Sequence, residues 1–155
     1  MYSKYLYSKI HDDLVLDFCN KCKELNYVNN DSFDSMKWYW KEVQWVGTFQ
    51  NDVLVSMSGI HKFPEINNNA FRIMFRGGTL PGISSKFLNF KQIPLQQEWA
   101  YLHNDSPEFY VTFNTKSEIG NKSNRMINAV KRMKDYSYYC KMIYFNVEQE
   151  VYALL

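Results

Sequence analysis

Glycine and proline are scarce in this chain, six and four residues out of 155. That scarcity leaves no room for a flexible linker, a proline-rich spacer or a low-complexity tract. Cysteine is rarer still. Three residues, an odd number, cannot form a disulfide framework that would staple a small secreted domain. Neither sign of charge dominates: 18 Lys and Arg face 16 Asp and Glu, a net charge of +2. That balance argues against nucleic acid as the partner, because a phosphate backbone is bound through an excess of clustered cations. No stretch approaches the ~18 apolar residues of a membrane span. The opening Met1-Tyr2-Ser3-Lys4-Tyr5 lacks the uninterrupted apolar core of a secretory signal. A cytoplasmic protein without a membrane partner is expected.

Apolar residues make up 46% of the chain and charged residues 22%, enough apolar material for one domain spanning residues 1–155 to bury a core without metal or disulfide. Asn, Lys, Tyr and Phe are frequent. Their codons are A/T-rich, which points to an AT-rich genome such as that of a bacteriophage, acting in its host's cytoplasm. Cys19 and Cys22 form a C-x-x-C spacing that raises zinc or redox chemistry. They lie inside a helical pattern, however, with no second C-x-x-C and no nearby His pair to complete four ligands. Reduced thiols and no metal are expected. Lys122, Arg125, Lys131, Arg132 and Lys134 gather on one stretch and fit the solvated face of a helix.

Leu14, Phe18, Cys22 and Leu25 share a face of a predicted helix that starts near Asp12 and Asp13. Ser32 reads as the cap of a short second helix carrying Phe33, Met36, Trp38 and Tyr39. The period then drops to two. Trp45 to Phe49 and Val53 to Met57, joined by a polar turn at Gln50-Asn51-Asp52, predict a hairpin in which Ser56 and Ser58 alternate with Val55 and Met57. Phe71, Ile73 and Phe75 alternate with Arg72, Met74 and Arg76 in a further antiparallel strand. From Gly77 a glycine-rich stretch, Gly77-Gly78-Thr79-Leu80-Pro81-Gly82-Ile83-Ser84-Ser85, reads as a loop able to turn amides toward an anion, or as a structural turn.

Only Leu95 to Tyr101, after Pro94, suggests a helical turn or two in the segment that follows. Phe109, Val111 and Phe113 define a strand ending at Asn114. Met126, Ile127, Val130 and Met133 define the apolar face of a helix over Asn121 to Lys134. Tyr138 to Tyr144 and Val147 to Leu154, split near Asn146, close the chain as an antiparallel pair, and an optional first strand lies within Tyr2 to Ile10. The fold class is α/β of the α+β kind: a mixed, mostly antiparallel sheet flanked by helices.

This order resembles the GCN5-related N-acetyltransferase (GNAT) superfamily over nearly the whole chain, through topology more than motif, and has the look of divergent phage acyltransferase-like proteins. The hairpin from Trp45 to Ile60 looks like the family's second and third strands. Phe71 to Arg76 with the glycines after it looks like the fourth strand and pyrophosphate loop, and Asn114 ends the candidate fifth strand. Two departures stand out. The loop Arg76-Gly77-Gly78-Thr79-Leu80-Pro81-Gly82 has different spacing from Q/R-x-x-G-x-G/A, and Lys131 takes the place where the family often carries an acidic Tyr.

The resemblance implies an acyl-CoA-dependent N-acyltransferase that moves an acetyl or other acyl group from acetyl-CoA, or another acyl-CoA, to an amine acceptor whose identity the sequence leaves open. Backbone near Met74, Phe75 and Arg76 would meet the thioester and pantetheine. Gly77, Gly78, Gly82, Ser84 and Ser85 would lie by the pyrophosphate, with Lys86 adding charge and Asn114 at the end of the neighbouring strand. Glu98 and His61, ahead of Glu65, are the candidate bases, because apolar neighbours set the proton affinity of each. Tyr138, or Tyr139, is the candidate acid. Each also has a structural reading, His61 as a rim residue and Glu98 as a half-buried helix residue. The rival function is a catalytically inactive GNAT-like module that binds a protein or nucleic acid through its Trp and Tyr residues. Either form is compatible with a monomer or a homodimer.

Overall fold

A computed structural model describes residues 1–82, 88–114 and 127–155. The described strands hydrogen-bond in the order β1-β2-β3-β4-β5-β7-β6, a mixed sheet in which β4 and β5 run parallel. The residues fall into two compact units, one of 1–61 and 73–105, the other of 62–72 and 106–155.

The first unit opens with β1 (Tyr2–Leu6), antiparallel to β2 (Gln44–Gln50), which pairs antiparallel with β3 (Val53–Lys62). The β2–β3 turn places Asn51 and Asp52 at φ 50° and 62°, left-handed values that suit short polar side chains and match the twist of a two-residue hairpin. Between β1 and β2 lie α1 (Asp12–Glu24), a 3-10 turn (Val28–Asn30) and α2 (Phe33–Met36). Ser32 caps α2 as expected, its Oγ accepting the Ser35 N–H at 3.0 Å. Trp38 and Tyr39 fall outside α2, because Lys37 takes φ 65° and stops the helix after Met36. Val15, Phe18, Cys19 and Cys22 of α1 pack with Met36, Trp38, Trp45, Phe49, Leu54, Met57 and Phe75. Burial pushes the Cys19 thiol up to about 11, and its Sγ rests 3.4 Å from Met36 Sδ.

Two expectations about the middle of the chain are corrected. β4 runs from Ala70 to Thr79, so Gly77 and Gly78 are strand residues and not a loop. Their missing side chains admit neighbours: a Cβ on Gly77 would stand 3.1 Å from Asn89, and one on Gly78 would stand 3.0 Å from Asn30 Oδ1. Successive strand residues face opposite ways, so Asn89 and Asn30 approach the pair from its two sides. The helix expected at Leu95–Tyr101 is α3 (Leu88–His103), which continues through Pro94. Proline removes one intrahelical bond there, and side-chain bonds from Asn89, Gln92 and Gln96 tie the helix to the sheet on either side of it.

In the second unit β5 (Glu108–Asn114) pairs parallel with residues 70–72 of β4 and antiparallel with β7 (Val147–Leu154), which pairs antiparallel with β6 (Tyr136–Tyr144). Phe63, Ala70, Tyr110, Tyr144 and Val151 form its core. Residues 127–132 are helical. Ile127 and Val130 are buried there, while Met133 lies outside the helix and is exposed, contrary to the core position its spacing predicts. Lys131, Arg132 and Lys134 face solvent as expected. Lys122 and Arg125, like the rest of the predicted helix before residue 127, lie outside the described residues.

Candidate functional site

Between the sheet and α3 lies a layer of buried polar side chains. Asn89, Gln92 and Gln96 repeat at helical spacing and face Thr48 of β2 and Ser56 and Ser58 of β3, all of them buried. Gln92 Nε2 donates to Thr48 Oγ1 at 3.0 Å and Ser56 Oγ at 3.2 Å, and its Oε1 accepts from Ser58 Oγ and from Asn89 Nδ2. Gln96 Nε2 donates to Ser58 Oγ at 2.9 Å, while Asn89 Nδ2 reaches the Met57 carbonyl at 3.1 Å. Ser56 Oγ donates to the Gly78 carbonyl at 3.0 Å. Each bond adds only about 1 kcal/mol net, but a buried polar group left unmade costs more, so the layer fixes α3 in one register over the strands.

That layer reaches the irregular half of β4. Met74 and Arg76 take φ 56° and 49° within a strand. For non-glycine residues such backbone costs on the order of 1–3 kcal/mol each and persists only where surroundings enforce it. Here two side-chain amides do so: Gln96 Oε1 accepts the Met74 N–H at 3.2 Å, and Asn30 Nδ2 donates to the Arg76 carbonyl at 3.0 Å. Left-handed residues inside a strand interrupt its regular alternation, as β-bulges do.

Phe75, between the two kinked residues, is the hub of the side chains around it. The His61 imidazole stands edge-on at 4.9 Å between ring centroids, the Trp45 ring lies at 5.7 Å, and Trp40 stacks at 6.2 Å with planes 10° apart. The Arg76 guanidinium carbon is 5.7 Å from the same centroid. Beside Trp40, a hollow of about 200 Å³ is lined by Phe33, Asp34, Lys37, Tyr39 and Trp40. The Trp45 indole N–H, on a residue 2% exposed, meets no acceptor among the described residues.

The expected site residues thus separate. His61, Met74, Phe75, Arg76, Gly77 and Gly78 come together on β3 and β4. His61 is buried and not a rim residue. Glu98 is exposed on α3, not half-buried among apolar groups: it accepts the Tyr5 hydroxyl at 2.7 Å, and burial together with that bond raises the Tyr5 pKa. Gly82 takes φ 80° with open space beside it, the conformation of a turn. Tyr138 is exposed on β6 and packs edge-on against Tyr152, Tyr139 packs against Tyr110, and Asn114 closes β5 opposite Gln149. Ser84, Ser85 and Lys86 lie outside the described residues. Sequence reasoning missed Asn30, Gln92, Gln96 and Trp40. The Asn89, Gln92, Gln96 spacing was a legible helical stripe, but polar residues at that spacing read as solvent-facing. Cys19 and Cys22 are buried in the α1 core, and no helix among the described residues is long and apolar enough to cross a membrane.

No family model and no curated protein matches the sequence. Solved structures do match the fold. An acetyltransferase of the GNAT family from Desulfovibrio desulfuricans superposes with a TM-score of 0.66 at 10% identity, covering 99% of this chain and 97% of that one. The chain has the GNAT fold. An aminoglycoside 6'-N-acetyltransferase complexed with coenzyme A is also similar, with a TM-score of 0.62 at 8% identity over 99% and 96% of the two chains. So is ribosomal-protein-alanine N-acetyltransferase from Brucella melitensis, at 0.59 and 8% over the whole of both. In this GNAT fold the kinked strand is the fourth, as the sequence resemblance implied.

Proposed function

We propose that residues 1–155 form one acyl-CoA-dependent N-acyltransferase, with the acyl donor lying along the kinked half of β4. The observation that carries this reading is the pair of left-handed residues, Met74 and Arg76, in the fourth strand of a GNAT fold. Strain of that kind collects where backbone must meet a ligand. A similar protein, the aminoglycoside 6'-N-acetyltransferase, is complexed with coenzyme A.

The chemistry assigns work to each group. A neutral amine nitrogen attacks the thioester carbonyl carbon, and the oxygen takes up negative charge that backbone N–H groups of the kinked segment stabilise. The carbon–sulfur bond then breaks, and the thiolate leaves with a proton. Gln96 already holds the Met74 N–H, so the Arg76 N–H is the better oxyanion donor. His61, a buried imidazole against Phe75, takes the proton from the amine in preference to Glu98, which is exposed and engaged by Tyr5. Gly77, Gly78 and Gly82 would line the path of the pantetheine and pyrophosphate, while Ser84 and Ser85, expected beside them, lie outside the described residues.

Calorimetric titration with acetyl-CoA and with CoA tests the reading. Saturable binding that weakens on Gly82→Val, with the melting temperature little changed, is the expected result, since no atom crowds a side chain there. Gly78→Val is the poorer probe, because its side chain would strike Asn30. Absence of binding by either ligand would replace the enzyme with a GNAT-like binding module.

A further inference from the structure

The kinked half of β4 is gripped by two side-chain amides that belong to other elements. Gln96, fully buried on α3, accepts the Met74 N–H through Oε1 at 3.2 Å, and its Nε2 donates to Ser58 Oγ at 2.9 Å, so the amide is held at both ends. Asn30, 4% exposed on the 3-10 turn, donates Nδ2 to the Arg76 carbonyl at 3.0 Å, and its Oδ1 stands 3.0 Å from where a Cβ on Gly78 would lie. A side-chain amide carries the donors and acceptor of a peptide group, so each can replace a ladder partner at a residue whose backbone has left the ladder. Gly78 belongs to the same device, because a side chain there would press on the amide that holds the Arg76 carbonyl.

A regular strand needs none of this. Extended backbone at Met74 and Arg76 would pair without strain, whereas left-handed φ values of 56° and 49° have to be enforced from outside. The segment is also within reach of solvent: Gly77 is exposed, and Met74, Arg76, Gly78 and Thr79 are half-buried. We propose that Gln96 and Asn30 are positioning residues for the acyl donor, holding the backbone of Met74 and Arg76 in its ligand-binding conformation before the donor arrives. The inference rests on the acyltransferase reading and adds to it the residues that set donor affinity. A ligand that binds only the kinked backbone has its affinity reduced in proportion to the molecules that lose the kink, and a preformed backbone removes that cost.

Calorimetric titration of the full chain with acetyl-CoA compares the wild type with Gln96→Leu, Asn30→Ala and Val15→Ala, the last a destabilising change in the α1 core that removes neither amide. Each is measured well below its own melting temperature. Gln96→Leu and Asn30→Ala should raise the Kd for acetyl-CoA about tenfold or more, while Val15→Ala lowers the melting temperature and leaves the Kd unchanged. Met74→Gly added to Gln96→Leu should recover most of the lost affinity, because glycine takes a positive φ without strain; a merely structural loss would not be repaired in this way. Equal Kd in the wild type and both amide variants overturns the proposal. So does a Kd that rises as much in Val15→Ala, or one that Met74→Gly does not recover. Should Gln96→Leu fail to fold, Asn30→Ala on its short turn decides by the same comparison with Val15→Ala. A wild type that binds neither acetyl-CoA nor CoA refutes the acyltransferase reading and this inference with it, whereas binding that both amide substitutions leave untouched refutes the inference alone.

Discussion

Replacing Gln92 by Leu probes the polar layer directly. The change keeps roughly the same volume, so no large cavity opens, and what it removes is hydrogen bonding. Gln92 is fully buried and bonds Thr48, Ser56, Ser58 and Asn89. Each of those partners keeps another bond: Thr48 to Ser3, Ser56 to the Gly78 carbonyl, Ser58 to Gln96 and Asn89 to the Met57 carbonyl. At about 1 kcal/mol net per bond, four lost bonds cost about 4 kcal/mol. Leucine offsets about 1–2 kcal/mol of that through apolar burial, leaving about 2–3 kcal/mol of destabilisation. Against the 5–15 kcal/mol typical of whole domains, that is a large fraction. Urea unfolding of the wild type and the variant measures it, with Gln97→Leu on the part-exposed flank of α3 as the control, expected within about 0.5 kcal/mol of wild type. If Gln92→Leu were neutral or stabilising, the layer would be incidental to stability, and the argument that it fixes α3 and the kink of β4 would fail.

The remaining expectations concern chemistry and charge. His61→Ala should lower kcat by about 100-fold or more while Glu98→Gln changes it less than about threefold; the reverse order in steady-state kinetics would move the base to α3. Trp38 Nε1 and the Lys9 N–H donate to the Asp12 carboxylate and hold its pKa below the ordinary 3.8. The stability this confers is therefore complete above that value and lost as pH falls through the depressed folded one, and Asp12→Asn should flatten that acid limb of a melting-temperature profile. With the Cys19 thiol pushed up to about 11 by burial, a thiol reagent at pH 8 should label part-exposed Cys140 well before Cys19 or Cys22 in the native protein, as mass mapping would show.

Elements whose own pattern is self-sufficient could be read from single segments of the chain. The α1 helix, the β2–β3 hairpin with Asn51 and Asp52 at its turn, β5, and the β6–β7 pair were legible because apolar period and turn chemistry are local properties of a short segment. Their order was enough to suggest the GNAT fold. The other features follow from contacts between distant segments. Gly77 and Gly78 look like a loop in one dimension, yet they extend β4 because Asn89 and Asn30 fill the space their side chains would take. Only the second half of α3, from Leu95 to Tyr101, was legible, because its buried stripe is half polar and Pro94 interrupts it, and only the serines and threonine of β2 and β3 make that polarity favourable. The strained backbone at Met74 and Arg76 has no local cause: it is held by Gln96 and Asn30, which stand 22 and 46 residues away along the chain. A site made by long-range amide contacts leaves no motif, since the contacting residues are fixed by the fold and not by their spacing.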